Sequence, residues 1–197
     1  MTAVVIQGGG KKNNANVDDN NLLETKSFTQ TFEQLLTAEG RAFNLNTGTI
    51  SFTGTSEAAV TYLKNNEDDK LIITSFIYLL GNTTGGSGSD SQVKVVENPT
   101  SGTILTATAG TPKNRNFGSK NTLNVDWRIG DSSKTSSGGT TAIESIFSGI
   151  GRQVVAVSTV LPKGASLSIL YTPPSGNTSQ NVQFAIAAYL DTLRLGG

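Results

Sequence analysis

Two carboxylates near the middle of the chain are the residues best placed to do chemistry. Asp126 lies in a stretch of alternating apolar and polar residues, and Asp131 follows it in a Gly-Asp-Ser-Ser turn. Two carboxyl groups that face one sugar ring are the equipment of a glycoside hydrolase. However, Asp126 falls on the outward side of the alternation around Trp127, and Asp is favoured in turns. Because spacing alone does not perturb a pKa, a structural role is favoured for both carboxylates.

The chain contains no histidine and no cysteine among its 197 residues. It therefore lacks the one side chain whose ordinary pKa lies near neutrality, and it offers no thiolate to a metal or a disulfide. The GxxxxGK[ST] phosphate loop and the GxSxG nucleophile elbow are also missing. The acidic run at residues 67–69 lacks the alternating ligand pattern of a calcium loop. We predict no catalytic residue, no cofactor and no metal site, and hence a protein that is not an enzyme.

One candidate loop for binding a ligand or partner contains Lys113, Arg115, Phe117 and Lys120. An aromatic ring among cations has the composition of a base-stacking platform with phosphate contacts. The whole chain, however, has 15 basic and 15 acidic residues and no net charge. Without a basic field, nucleic acid and anionic membranes are not expected partners, and a surface loop paired with a neighbouring protein is favoured.

Small polar residues dominate the composition, since Ser, Thr, Asn and Gly make up 85 of the 197 residues. These residue types suit solvent-facing strand positions and turns, so the composition indicates a structural β-protein. Residues 1–27 form a polar arm with little to bury, while residues 28–197 contain the apolar pattern of one domain. The apolar run at residues 3–6 is shorter than a signal-peptide core, and we therefore expect synthesis in the cytoplasm.

Alternating apolar and polar residues predict about eight strands. Residues 28–36 fit helical and strand spacing equally well, and residues 43–52 predict a hairpin with a turn at Asn46-Thr47-Gly48. Residues 143–147 suggest a short helix or turn. The remaining strands are predicted at residues 58–63, 71–80, 93–95, 104–108, 123–129, 153–161, 167–171 and 182–190. This pattern predicts an all-β fold, an antiparallel β-sandwich of the jelly-roll type.

The strand at residues 71–80 is apolar on both faces, whereas a sandwich covers only one. Strict alternation places Leu71, Ile73, Ile77 and Leu79 on one side and Ile72, Phe76, Tyr78 and Leu80 on the other. Tyr189 on the last strand belongs to a similar second face. We predict that a partner subunit or the N-terminal segment covers this second face; an irregular strand wrapped by its own loops is the alternative. The candidate subunit-interface residues are Leu71, Ile73, Ile77, Leu79 and Tyr189.

Several segments together resemble a family of jelly-roll proteins from the virions of tailed bacteriophages. They are Ala42-Phe43-Asn44, Ser56-Glu57, Leu161-Pro162-Lys163-Gly164, Tyr171-Thr172-Pro173-Pro174 and Asn177-Thr178-Ser179. The resemblance covers residues 40–192 and consists mainly of turn and strand signatures. It implies a virion structural protein, a capsid decoration protein or a head-fibre or vertex protein. It also implies association with itself, preferably as a homotrimer, and with other capsid proteins.

A carbohydrate- or receptor-binding module of a phage tail is the alternative function, because β-sandwiches also carry lectin sites. A sugar site needs an exposed aromatic ring beside polar side chains. Trp127 alternates into the predicted core, which leaves Phe117 and Tyr171 as candidates. An enzyme that uses Asp126 and Asp131 is the third possibility.

Overall fold

Strands form most of the structure. The computed structural model describes residues 31–85, 90–148 and 150–191, together with the backbone of residues 16–17 and 23–24. Strands β1 (Asn16–Val17) and β2 (Leu23–Glu24) pair antiparallel with each other. The rest of the predicted arm, residues 1–27, lies outside the described residues.

Helix α1 and eleven further strands make up the remaining described chain. In chain order they are α1 (Phe32–Ala38), β3 (Ala42–Thr53), β4 (Ala58–Asn65), β5 (Lys70–Thr84), β6 (Ser91–Glu97), the 3-10 helix η1 (Thr103–Thr106), β7 (Thr108–Ala109), β8 (Lys113–Asn114), β9 (Val125–Ile129), β10 (Thr140–Phe147), β11 (Gly151–Leu161), β12 (Ser166–Thr172) and β13 (Ser179–Asp191). None of the helices in these residues is long and apolar enough to cross a membrane.

The strand order is that of a jelly roll, as the sequence predicts. One sheet has the order β11-β5-β13-β3-β8 and the other has the order β10-β6-β12-β4-β9-β7. The eight long strands pair antiparallel as β3 with β13, β4 with β12, β5 with β11 and β6 with β10. This nested pairing is what results when one long hairpin folds over to form two facing sheets.

Apolar side chains from the inner faces of both sheets fill the space between them. Phe52, Tyr171, Phe184 and Tyr78 form a chain of ring contacts, with centroids between 5.1 and 5.7 Å apart. Tilted and edge-on rings at these distances add about 0.5–1.5 kcal/mol per pair beyond the area that they bury. The Tyr171 hydroxyl donates to Gln180 Oε1 at 2.5 Å, which satisfies this buried polar group.

The long connection between β6 and β10 covers the outer face of the six-stranded sheet. Ile104 of η1 is fully buried against Ala59 and Tyr62 of β4 and Leu170 of β12. Strand β9 extends the same sheet beside β4, and its Trp127 packs into the main core. As a result, β4 and β12 are buried on both faces. The corresponding face of the five-stranded sheet has no such cover among the described residues.

Helix α1 resolves the ambiguity at residues 28–36 in favour of a helix from residue 32 onward. The helix ends in a Schellman motif: the Gly40 N–H donates to the Thr37 carbonyl at 3.0 Å, and the Arg41 N–H donates to the Leu36 carbonyl at 2.8 Å. Gly40 has a φ of +71°, a left-handed conformation that glycine adopts most readily. Residues 28–30 lie outside the described residues.

The predicted hairpin at residues 43–52 is wrong, because β3 is one continuous strand with a bulge. Gln183 pairs with Thr49 and Ala185 pairs with Asn46, so β3 has one extra residue there. The Gly48 N–H donates to Asn46 Oδ1 at 2.8 Å, and the Phe184 N–H donates to Thr47 Oγ1 at 3.0 Å. The turn residues therefore form a bulge within β3, and the parts of β3 before and after the bulge both pair with β13.

Two further predictions of secondary structure are wrong. The segment at residues 104–108 is mainly the 3-10 helix η1. At the start of η1, the Thr103 N–H donates to Thr135 Oγ1 at 3.2 Å, and the Thr135 N–H donates to Thr103 Oγ1 at 3.0 Å. The segment at residues 143–147 lies in strand β10, because Ile143 and Phe147 pack against the core from every second position.

Candidate functional site

The outer face of the five-stranded sheet is an apolar surface, here called the outer sheet face. Its apolar members point away from the core on three adjacent strands, β11, β5 and β13. They are Val154, Ala156, Val160, Ile72, Ile77, Leu79, Ala185, Ala187 and Tyr189. Val154, Val160 and Leu79 are exposed to 54, 47 and 45%. Cross-strand pairing brings Val154, Ile77 and Ala185 side by side in one row, so the apolar surface is continuous.

Leu71 and Ile73, two of the predicted interface residues, lie in the core instead. Both are fully buried within the chain. Ser75 pairs with Ala187 and Ile73 pairs with Ala188, so no β13 residue lies opposite Thr74 in the strand register and Thr74 forms a bulge. One extra residue exchanges the two faces of a strand. Leu71 and Ile73 therefore share the inner face with Phe76, and Ile72 takes their predicted place on the outer sheet face.

A shallow depression of about 260 Å³ lies in the outer sheet face. Ile77, Leu79 and Ala185 provide apolar walls, and Asn46 contributes an amide from the β3 bulge. Arg152 is the charged residue among the lining side chains. The depression is thus suited to an apolar group beside a hydrogen-bond acceptor or an anion.

The predicted ligand or partner loop is held rigidly at its base. We define residues 113–121 as the Phe117 loop. Asn114, Asn116 and Asn121 donate from their side-chain amides to carbonyls at the end of α1: Asn114 to Gly40 at 2.8 Å, Asn116 to Ala38 at 2.9 Å and Asn121 to Glu39 at 3.2 Å. Orphan carbonyls at a helix end need such donors. The loop and the helix end therefore satisfy each other's polar groups.

Phe117 projects from this loop with 98% of its surface exposed. The Asn116 side-chain oxygen accepts from the Gly118 N–H at 3.1 Å, and the Asn116 carbonyl accepts from the Ser119 N–H at 2.9 Å. These turns fix the backbone on the C-terminal side of the aromatic ring. A large apolar side chain in water on an ordered loop is characteristic of a contact residue.

The cations of the Phe117 loop differ in their surroundings. Arg115 pairs with Glu33 of α1, which is a structural role. Lys113 and Lys120 are exposed, and neither forms an ion pair with a described residue. The structure thus leaves Phe117, Lys113 and Lys120 available to a partner.

The carboxylates of the hydrolase hypothesis are not brought together. Asp126 pairs with Arg128 at 2.5 Å, and Asp131 accepts from the Ser133 hydroxyl and N–H at 2.5 and 2.8 Å. These hydrogen bonds lower the pKa of Asp131, which favours the ionised form over a general acid. Each carboxylate is thus engaged by its own near neighbour in the chain, and no described contact joins the two.

The acidic run at residues 67–69 serves the fold. Glu67 Oε1 accepts from the Asn124 N–H at 2.6 Å, Asp68 pairs with Lys163 at 2.5 Å, and the Asp69 carbonyl accepts from Asn65 Nδ2 at 2.9 Å. Across the described part of the chain, no group of three acidic side chains is placed to hold a metal ion.

Trp127 and Tyr171 are both buried in the core. This confirms the prediction for Trp127 and removes Tyr171 as an exposed sugar platform. Burial raises the pKa of Tyr171, as expected for a phenol whose charged form is poorly solvated.

A second concave region, which the sequence did not predict, lies at the edge of the sandwich. Here called the edge groove, it has a volume of about 370 Å³. It lies where β10 of one sheet and β11 of the other leave the sandwich open, and Glu97, Ala142, Ile143, Val160, Pro162 and Leu167 are among its lining residues. Because residues 143–147 were interpreted as a helix or turn, the sequence did not predict β10, which forms one side of the groove. The alternation of Ile143, Ser145 and Phe147 was the signal that could have revealed it.

Comparison with known proteins finds no matching family model and no matching curated protein. Among solved structures, the chain is similar to a subunit of an empty virus-like particle of cowpea mosaic virus, at 9% identity and a TM-score of 0.29, covering 78% of this chain and 79% of that one. It is also similar to a chain of T=1 particles derived from infectious bursal virus, at 10% identity and a TM-score of 0.21, covering 76% of this chain and 40% of that one. Both scores are low, so the fold assignment depends on the strand order of the chain itself.

Proposed function

We propose that the chain is a non-enzymatic structural component of a bacteriophage particle. In this role it is a capsid decoration protein or a head-fibre or vertex protein that associates with itself and docks on the shell. The jelly-roll strand order and the virion-type segments in the sequence support the proposal. Its site of action is the virion, after synthesis in the host cytoplasm.

The observation that carries the proposal is the contrast between the two outer faces of the sandwich. The chain covers the outer face of its six-stranded sheet with η1 and Ala107, while the outer sheet face stays apolar and uncovered by described residues. A soluble protein that stays alone rarely keeps a continuous apolar surface of this kind in water. A second copy of the chain that packs against the outer sheet face would remove it from solvent.

The size of the outer sheet face is consistent with a subunit contact. Three strands at about 4.8 Å spacing and eight residues at about 3.3 Å rise give a face of about 14 by 26 Å. This is about half of the roughly 800 Å² that each partner contributes to a standard interface. The face can therefore anchor an oligomer, and a further contact would complete its stabilisation.

The preferred oligomer is a homotrimer, which has the closed symmetry that suits a head-to-tail contact between jelly rolls. Other capsid proteins are the second class of partner. Nucleic acid and membranes are not partners in this proposal, because the chain has no net charge to attract their phosphates.

The test is the substitution Leu79→Asp, which places a charge in the centre of the outer sheet face. We expect the oligomer to dissociate while the monomer stays folded, because Leu79 is 45% exposed and does not belong to the core. Ile146→Asp is the matched control, since Ile146 is 64% exposed and lies on the other sheet. Sedimentation velocity measures both. An unchanged oligomer in Leu79→Asp would refute the proposed subunit contact.

A carbohydrate- or receptor-binding module is the second candidate function, and the exposure of Phe117 favours it. An exposed ring with amide side chains nearby can stack on a sugar face. Binding to a glycan array that is lost in Phe117→Ala would favour this function over a purely structural role.

A further inference from the structure

We infer that the Phe117 loop of one copy docks into the edge groove of the next copy, in a head-to-tail contact. This inference depends on the proposed self-association and adds a second contact to it. It assigns to Phe117 a partner of defined chemistry, namely an apolar groove with a carboxylate at its rim. The occupant of the groove is therefore a second copy of this chain.

The shapes of the two surfaces fit each other. Phe117 projects into solvent from a loop that hydrogen bonds hold to the end of α1. The edge groove offers about 370 Å³ lined mainly by apolar side chains, among them Ile143, Val160 and Leu167. An aromatic anchor that enters an apolar pocket from a rigid support is the typical arrangement of an interface hot spot.

The charges of the two surfaces are complementary as well. Lys113 and Lys120 flank Phe117, and neither forms an ion pair with a described residue. Glu97 is exposed at the edge groove and likewise has no ion-pair partner in the described ranges. Docking would place the two ammonium groups near this carboxylate, which favours the correct register.

Charge also excludes the depression in the outer sheet face as the receptor for Phe117. The depression in the outer sheet face contains Arg152 as its charged residue. Docking there would bring Lys113 and Lys120 towards a third cation, and like charges oppose association. The edge groove is therefore the better match on the same molecule.

The positions of the two surfaces make the contact head-to-tail. Strand β8, from which the Phe117 loop departs, is one edge of the five-stranded sheet, and β11 is the other. In the six-stranded sheet, β10 lies at the end opposite to β7. Phe117 and the edge groove thus lie on opposite sides of the sandwich. A contact between opposite sides repeats around a ring, which gives a closed oligomer if the rotation closes.

The test uses two variants of the full chain that each remove one half of the contact. Phe117→Ala removes the anchor, and Ala142→Arg blocks the edge groove at an exposed position. We expect each variant alone to dissociate at least about 30-fold more readily than the wild type, the scale of an interface hot spot. An equimolar mixture should associate more tightly than either variant alone, because it contains one intact anchor that meets one intact groove.

Sedimentation velocity of each variant and of the mixture gives the result. Fluorescence of Trp127 and thermal unfolding verify that both variants are folded, and Pro162→Arg on the edge groove replaces Ala142→Arg if that variant fails to fold. Wild-type oligomers in both variants, or a mixture that associates no more tightly than each variant alone, would overturn the inference. If Leu79→Asp dissociates the oligomer but Phe117→Ala does not, the inference fails and the proposed function stands. A wild-type chain that is monomeric at every concentration would refute both the inference and the proposed self-association.

Discussion

Trp127 shows how a single side chain attaches the long connection between β6 and β10 to the sandwich. Its indole N–H donates to Thr61 Oγ1 at 2.9 Å, and the Thr61 hydroxyl donates to the Arg128 carbonyl at 2.9 Å. The first of these hydrogen bonds is buried and the second is partly buried. Buried polar groups need hydrogen-bond partners, because leaving one unpaired costs stability. The ring also lies against the backbone of Gly110, where a Cβ atom would come within 2.4 Å of it. One residue thus joins β4, β9 and the segment after β7.

Replacing Thr61 by Val should destabilise the protein without changing its shape. The substitution removes the hydroxyl and leaves the indole N–H and the Arg128 carbonyl without this partner, a loss of about 1–3 kcal/mol in the free energy of unfolding. Thr61→Ser is the control, because it keeps the hydroxyl. Denaturant unfolding followed by fluorescence is suitable, since Trp127 is the one tryptophan of the chain. Equal stability of the Val and Ser variants would contradict this assignment.

At the scale of elements, regular alternation predicted the strands well, and irregularities within strands caused the errors. The inward faces of β9 and β13 follow directly from alternation at Trp127 and from Val182 to Ala188. Alternation fails at Thr74, where a bulge exchanges the two faces of β5. It fails again at Gly48, where turn residues form a bulge inside β3 and not a hairpin. A bulge depends on pairing with distant strands, so a local pattern cannot reveal it.

The candidate interaction surfaces were predicted only in part for the same reason. Phe117, Lys113 and Lys120 stand out in the sequence because they are large or charged residues in a turn-rich segment. The edge groove has only a partial local signal, the alternation in β10, because Glu97, Ala142 and Val160 come from three separate strands. Only the strand order places them together.

Two glycines provide a test of the junction between α1 and the Phe117 loop. Gly40 and Gly48 both have a φ of +71°, but a Cβ atom on Gly40 would lie 2.2 Å from Ser119 Oγ, whereas Gly48 has open space. We expect Gly48→Ala to lower the free energy of unfolding by about 1–2 kcal/mol through backbone strain. Gly40→Ala should lower the free energy of unfolding by about 1–3 kcal/mol more than Gly48→Ala does, through overpacking.

Thermal or denaturant unfolding of the two alanine variants measures this difference. Because the backbone strain is shared, the extra loss in Gly40→Ala reports the close contact between the helix end and the Phe117 loop. Identical losses in the two variants would show that the loop does not pack against the helix end, and a rigid support for Phe117 would no longer be justified.

At the scale of the whole molecule, the sandwich presents three features that suit assembly. The outer sheet face is apolar, Phe117 projects from one edge, and the edge groove opens on the opposite edge. The carboxylates at Asp126 and Asp131 are engaged separately by Arg128 and Ser133. The distribution of apolar surface is therefore the basis of the proposed structural role.

The N-terminal arm, residues 1–27, has a part in this proposal. It is polar and contains little that a core could bury, so its expected role is contact with neighbouring subunits or with the shell. Removing such an arm should weaken the oligomer and leave the β-sandwich domain folded.

The most direct test of the proposed structural role is the sedimentation-velocity mass of the full-length chain over a range of concentrations, compared with a version that lacks residues 1–26. We predict a discrete oligomer, preferably a trimer, that dissociates more readily without the arm. A monomer at every concentration in both versions would contradict self-assembly and, with it, the assignment of the outer sheet face as a subunit contact.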